Sequence, residues 1–155
     1  MTITLALLRH GRADGQGPDA RLLPEGAEYI AALGRHLANE GFLPAAAFSS
    51  PYLRARETCR ILLSAVAPAM TFRLLTELAP EHDAGDTLSA LAAEGPPAGR
   101  VLVVGHLPLL GLIAQRVTGD DPAFHRGTLV EIEMQDDFAS GRLARVLHPG
   151  DVRGD

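Results

Sequence analysis

Two apolar runs in this chain end in a histidine. Leu5-Ala6-Leu7-Leu8 leads into Arg9-His10-Gly11, and Val101-Leu102-Val103-Val104 leads into Gly105-His106. A short continuous apolar run marks a buried parallel strand, and in open α/β sheets ligands bind just beyond the carboxyl ends of such strands. Both imidazoles therefore stand where a ligand is expected. Arg9 sets a fixed guanidinium beside the first, and Arg54, in the first turn of a predicted helix, sets another at the same end of the sheet. Imidazoles and guanidiniums together suit phosphoryl transfer. The equatorial oxygens of a transferring phosphoryl group carry negative charge that fixed donors stabilise, and a neutral imidazole can attack phosphorus and hold the group covalently. Surrounding positive charge helps keep that imidazole unprotonated.

Other chemistries have less support in the sequence. A zinc site needs three or four converging ligands at recognisable spacing, and the chain has neither an HExxH nor a CxxC pattern. It also lacks a GxSxG elbow and a GxxxxGK[ST] loop. Cys59 falls on a predicted apolar helix stripe and reads as a small buried hydrophobe. His36, His125 and His148 match no motif and read as structural or solvated.

The elements that must position the two histidines follow from periodicity and punctuation. A Gly/Asp/Pro loop from Arg12 to Asp19 lies beside the first histidine. Pro24-Glu25-Gly26 then introduces a helix over Ala27 to Asn39, with Ile30, Leu33 and Leu37 at helical spacing and Gly41 past its end. Ala45 to Phe48 is a short strand. Ser49-Ser50-Pro51 announces a helix through a serine N-cap and a proline at the first helical position, carrying Tyr52, Ala55, Cys59, Leu62 and Val66 on one face. A third strand over Met70 to Leu75 enters a polar turn, Thr76 to Asp83, that could cover a site. Asp86 or Thr87 caps a helix running through Leu91, and Glu94 to Gly99 breaks the chain. After His106, Pro108 opens a helix over Leu109 to Val117, which brings the imidazole beside a helix N-terminus favourable to anions. Thr128 to Met134 and Arg142 to Leu147, joined through Asp136 to Gly141, form a terminal hairpin. Strands alternating with helices predict a single-domain α/β fold with a mixed sheet wound on both faces over residues 1–149, followed by a loose tail at 150–155.

Composition narrows the partners. The 155 residues can bury a core without metal or disulfide staples, with 46% hydrophobic and 21% charged residues. A net charge of -5 argues against a nucleic-acid surface or a polybasic membrane patch, so the proposed arginines would form a local positive spot on an acidic protein. One cysteine cannot form an internal disulfide, and the first apolar run stops too early for a signal peptide or a membrane span, so a cytoplasmic location is expected.

Leu8-Arg9-His10-Gly11, then Ser49-Ser50-Pro51-Tyr52-Leu53-Arg54-Ala55-Arg56-Glu57-Thr58, then Val104-Gly105-His106-Leu107-Pro108, in that order, resemble the histidine phosphatase superfamily. The compact size and the His-Leu-Pro form of the last motif are most similar to the short bacterial phosphohistidine phosphatases of the SixA type. The resemblance implies a phosphoglycerate-mutase-like fold with a mostly parallel sheet, no metal or other cofactor, and a phosphohistidine intermediate. By matching motif, His10 is the nucleophile, and Arg9, Arg54 and His106 form the phosphate pocket. Glu77 matches a glutamate that acts as general acid in many relatives, while Glu81, His82 and Asp83 could line the same loop. Arg21 sits one position from an arginine that short members place upstream, which leaves open whether it reaches phosphate. The chain also departs from the family where Leu22-Leu23-Pro24-Glu25-Gly26 replaces the usual Leu-Thr-x-x-Gly.

The expected activity is phosphate removal, with a phosphohistidine protein as substrate. A small phosphorylated metabolite is the competing substrate, and a non-catalytic phosphate-binding module is the alternative from another class. A missing general acid would favour phosphohistidine, whose imidazole leaves more readily than an alkoxide.

Overall fold

The computed structural model describes residues 2–135 and 138–152. Asp136 and Asp137 of the predicted hairpin turn, and residues 153–155 of the predicted tail, lie outside the described residues. The strands are β1 (Ile3–Arg9), β2 (Ala46–Ser49), β3 (Arg73–Leu74), β4 (Gly99–Gly105), β5 (Leu129–Met134) and β6 (Gly141–Leu147). The helices are α1 (Pro24–Asn39), α2 (Leu53–Val66), α3 (Ala84–Glu94), α4 (Leu109–Thr118) and α5 (Pro149–Val152), with a 3-10 turn at Thr76–Leu78. One six-stranded sheet runs in the order β3-β2-β4-β1-β5-β6. The first four of these strands are parallel, and the β5–β6 hairpin joins β1 antiparallel, as the sequence predicts.

The central position of β1 explains its unbroken apolar run. Leu5, Ala6, Leu7 and Leu8 are all 0% exposed. Leu5 and Leu7 pack with Leu88 and Leu91 of α3 and with Ile113 and Val117 of α4. Ala6 and Leu8 face the other way, against Ile30, Leu33 and Leu37 of α1 and Ala55, Cys59 and Leu62 of α2. A strand covered on both faces has no side for polar residues, and each buried leucine contributes about 1.5–3 kcal/mol to holding it there. The catalytic-looking end of β1 is thus mounted on the most buried element of the fold. Among the described residues no helix is long and apolar enough to cross a membrane.

Several boundaries differ from expectation for local reasons. β3 is only two residues long, Arg73 and Leu74, paired with Phe48 and Ser49 at the end of β2. α3 begins at Ala84 rather than near Asp86, because the Asp83 carboxylate accepts the Asp86 N–H at 2.8 Å and caps the helix. The expected loose tail meets the short helix α5, in which Val152 is 1% exposed against the α1 side of the core. Glu131, in the middle of β5, is a carboxylate with only 4% exposure. Arg100 Nε lies 2.8 Å and Arg145 Nε 2.6 Å from its oxygens, so the buried charge is paired on both sides.

Candidate active site

Parallel pairing brings the two histidines together. Arg9 of β1 lies opposite Gly105 of β4, so the next residue of each strand leaves the sheet at the same place. The rings of His10 and His106 have centroids 5.1 Å apart at an interplanar angle of 55°. Both are buried, with 7% and 2% exposure.

Each imidazole is held in a defined way. His10 Nδ1 lies 2.7 Å from the Gly11 carbonyl oxygen, which can only accept, so the neutral ring carries its proton on Nδ1 and leaves Nε2 bare. Arg54 Nε donates toward that Nε2 at 3.4 Å, consistent with a free lone pair there. The Arg54 NH1 group donates to the carbonyls of Gln16 at 3.1 Å and Gly17 at 2.8 Å, which fastens the loop after β1 over the site. Thr58 Oγ1 donates to the Arg54 carbonyl and accepts the Gly11 N–H, tying α2 to the turn behind His10.

His106 Nε2 lies 2.7 Å from Ser50 Oγ, which also accepts the Tyr52 N–H at 3.2 Å. The serine predicted as a helix cap instead serves the second histidine, and α2 starts later, at Leu53, without a side-chain cap. His106 Nδ1 and Arg9 Nε are buried polar atoms with no hydrogen-bond partner among the described residues. Buried polar groups are nearly always satisfied, and two orphans in one site point to a polar ligand. Tyr52 stands edge-on to His106, with ring centroids 5.0 Å apart, and the Arg54 guanidinium carbon lies 5.0 Å from the Tyr52 centroid.

The electrostatics favour neutral imidazoles facing fixed cations. Burial is the main reason the His10 pKa falls to about 4, and the charges of Arg54, Arg9 and Arg126 lower it further against the opposing hydrogen bond to Gly11. Burial, then His10, Arg54 and Arg9, bring His106 down to about 3. Burial and the charge of Arg126 also hold the Arg9 guanidinium below its ordinary value. The histidines and arginines open on a cavity of about 380 Å³ whose lining includes Arg9, His10, Arg54, His106, Tyr52 and Arg126.

Four of the six residues singled out from sequence meet there: Arg9, His10, Arg54 and His106. The other two do not line it. Arg21 is exposed, beside the Ala13–Leu22 bridge. Glu77 lies in the 3-10 turn with its carboxylate accepting from the Thr76 hydroxyl at 3.1 Å. Glu81 and Asp83 are exposed and His82 half-buried, and none of the three lines the cavity. His125 and His148 contact each other, with centroids 4.6 Å apart, and His148 Nδ1 lies 2.8 Å from Thr128 Oγ1. Sequence reasoning missed Ser50 as a histidine partner and Arg126 altogether; a lone arginine in a loop carries no periodic signal.

Glycine is required where α1 passes the loop after β1. A Cβ on Gly26 would sit 2.5 Å from the Arg12 carbonyl oxygen, so the Gly in Leu22-Leu23-Pro24-Glu25-Gly26 survives although the threonine cap does not.

Comparison with known proteins agrees with this arrangement. The pattern of the histidine phosphatase superfamily (branch 1) matches residues 5–97, more than half of the chain. No curated protein matches in sequence. Among solved structures, the protein histidine phosphatase SixA in complex with tungstate is 25% identical with a TM-score of 0.85, covering 97% of this chain and 99% of its own. A protein described as a candidate phosphohistidine phosphatase SixA from Nakamurella multipartitia is 28% identical with a TM-score of 0.76, covering 96% and 97% respectively. A phosphoglycerate mutase from Bacillus anthracis str. Sterne shares the fold at 17% identity, with a TM-score of 0.73 over 97% of this chain and 95% of its own. With its matched segment running from β1 past α3 and its fold shared end to end with SixA, this chain belongs to the histidine phosphatase superfamily, which supports a phosphatase activity.

Proposed function

We propose that the protein removes phosphate from phosphohistidine in proteins, through a phosphoryl group carried on His10. The observation behind this reading is the make-up of the cavity: two imidazoles and three guanidiniums, with no Asp or Glu among its lining residues. Such a site can attack and stabilise a phosphoryl group but has no carboxylic acid to protonate an alkoxide. A phosphorylated imidazole does not need one, because its other ring nitrogen takes a proton from solvent and the ring departs neutral.

In the first step His10 Nε2 attacks phosphorus and the bond from phosphorus to the substrate ring nitrogen breaks. Arg9 and Arg54 hold the phosphoryl oxygens, and His106, once protonated, donates to one of them through its free Nδ1. Water then attacks the phosphorus on His10, the P–N bond breaks with its electron pair returning to Nε2, and orthophosphate leaves carrying the water's oxygen and both its protons. The proton on His10 Nδ1 stays on the ring throughout, donated to the Gly11 carbonyl. The lone buried Cys59 supports action in a reducing compartment, the cytoplasm.

The test is to incubate the protein separately with a phosphohistidine-carrying domain and with a panel of sugar and nucleotide monophosphates. Rapid loss of label from the domain, with a phosphorylated His10 mapped by fragmentation after acid-free quenching, is the expected result. Turnover of the monophosphates alone would assign the site to small phosphomonoesters instead.

A further inference from the structure

The segment carrying Arg126 is built onto the end of β1. Arg9 NH1 donates to the Phe124 carbonyl at 2.9 Å, and Arg9 N donates to the Thr128 carbonyl at 3.0 Å. Gly127 N is shared between the carbonyls of Arg9 at 3.0 Å and His10 at 3.1 Å, at a backbone φ of +84° that suits glycine. Arg126 is therefore presented from a fixed position. It makes no hydrogen bond or ion pair among the described residues, in a chain with 19 acidic and 14 basic side chains.

Two cavities meet at this residue. One is the cavity of the histidines; the other, of about 360 Å³, lies against α1 and is lined by Arg9, Arg12, Tyr29, His125 and Arg126 among others. Arg9 and Arg126 line both. Arg12 is already paired with Glu25 at 3.0 Å, and Arg9 and Arg54 donate to backbone carbonyls, so Arg126 is the guanidinium beside the phosphoryl position with no hydrogen bond or ion pair among the described residues.

We infer that Arg126 is a second anion subsite, which takes a carboxylate of the same molecule whose phosphoryl group faces His10. Two guanidiniums held side by side without an anion repel each other, and an anionic group between or beside them removes that cost. Under the phosphohistidine reading, on which this part rests, the carboxylate is an Asp or Glu side chain next to the phosphorylated imidazole on the partner protein. The subsite itself does not depend on that reading.

Binding of inert phosphonates tests it. Calorimetry with 3-phosphonopropionate and with its uncharged amide should show wild type preferring the carboxylate about fivefold, the scale of a partly exposed ion pair. In Arg126→Gln the preference should fall to within about twofold, and in Arg126→Lys most of it should remain. Equal binding of the two phosphonates to wild type, or a preference that persists in Arg126→Gln, overturns the subsite alone. Binding of neither overturns the phosphate site itself and the subsite with it. A second arm uses peptides with a phosphoryl-triazole mimic of phosphohistidine flanked by Glu or by Gln. Tighter binding of the Glu peptide that is lost in Arg126→Gln supports the protein assignment, and equal binding of the two peptides overturns it.

Discussion

Burial of neutral imidazoles makes the fold acid-sensitive in a way that one substitution can isolate. The native His10 pKa of about 4 lies below the ordinary 6.5, first because the ring is buried and then because cations surround it. The unfolded chain therefore binds a proton on this residue through the window from about 6.5 down to about 4 while the native chain does not. Stability rises with pH across that window and is lost as pH falls; below about 4 the native ring protonates too and the loss levels off. At about 1.4 kcal/mol per pKa step, His10 alone costs about 3 kcal/mol at pH 4 relative to pH 7.

Urea unfolding of wild type and His10→Gln at both pH values measures this directly. Carboxylates titrate in both proteins and largely cancel in the difference, while losing the His10 charge eases protonation of His106 and widens the gap in the same direction. His10→Gln should gain about 3 kcal/mol on wild type between pH 7 and pH 4, whatever the offset at pH 7. A gap between the two proteins that stays constant within about 0.5 kcal/mol would refute a neutral, buried His10.

Three further outcomes follow from single contacts. Ser50→Ala removes the partner of His106 Nε2 at 2.7 Å, and phosphatase activity should fall roughly tenfold in kcat with the fold retained by circular dichroism. Glu77→Gln should change kcat/KM less than about twofold on a phosphohistidine substrate, because the side chain does not line the cavity; a loss of about 100-fold would restore it as a general acid. Gly26→Ala drives a methyl into the Arg12 carbonyl at 2.5 Å and should lower stability by about 2 kcal/mol in denaturant unfolding.

The residues most legible in the sequence are those whose position follows from strand geometry. His10 and His106 end apolar runs, and two parallel neighbours in register must release their next residues together. Arg54 was readable for the same reason, through the strand and helix start that precede it. Ser-Pro before an apolar stripe is a helix-cap signature, but at Ser50 a buried imidazole nitrogen is the stronger claim on the hydroxyl. Glu77 matches a family position and Arg21 sits one position from one, and neither lines the cavity of the histidines. Arg126 had no sequence signal, since its place is fixed by backbone bonds to Arg9 and His10 more than a hundred residues away. Glu131 carries no signal within its own strand, and only the sheet order, which buries β5 beside β1, makes it a paired charge in the core.

The low proton affinity of the two histidines and the cluster of arginines are one design constraint seen twice. Uncompensated guanidiniums near a buried site are tolerable only if the imidazoles beside them stay neutral, and a neutral His10 is what attack on phosphorus requires. An anion entering the cavity reverses the balance at His106. It supplies the missing countercharge, raises the proton affinity of that ring, and gives the orphaned Nδ1 a partner. The same ring that is uncharged among the guanidiniums alone is thereby suited to donate once a phosphoryl group is present, while His10, with Nδ1 held by Gly11, keeps its lone pair on the nitrogen facing Arg54.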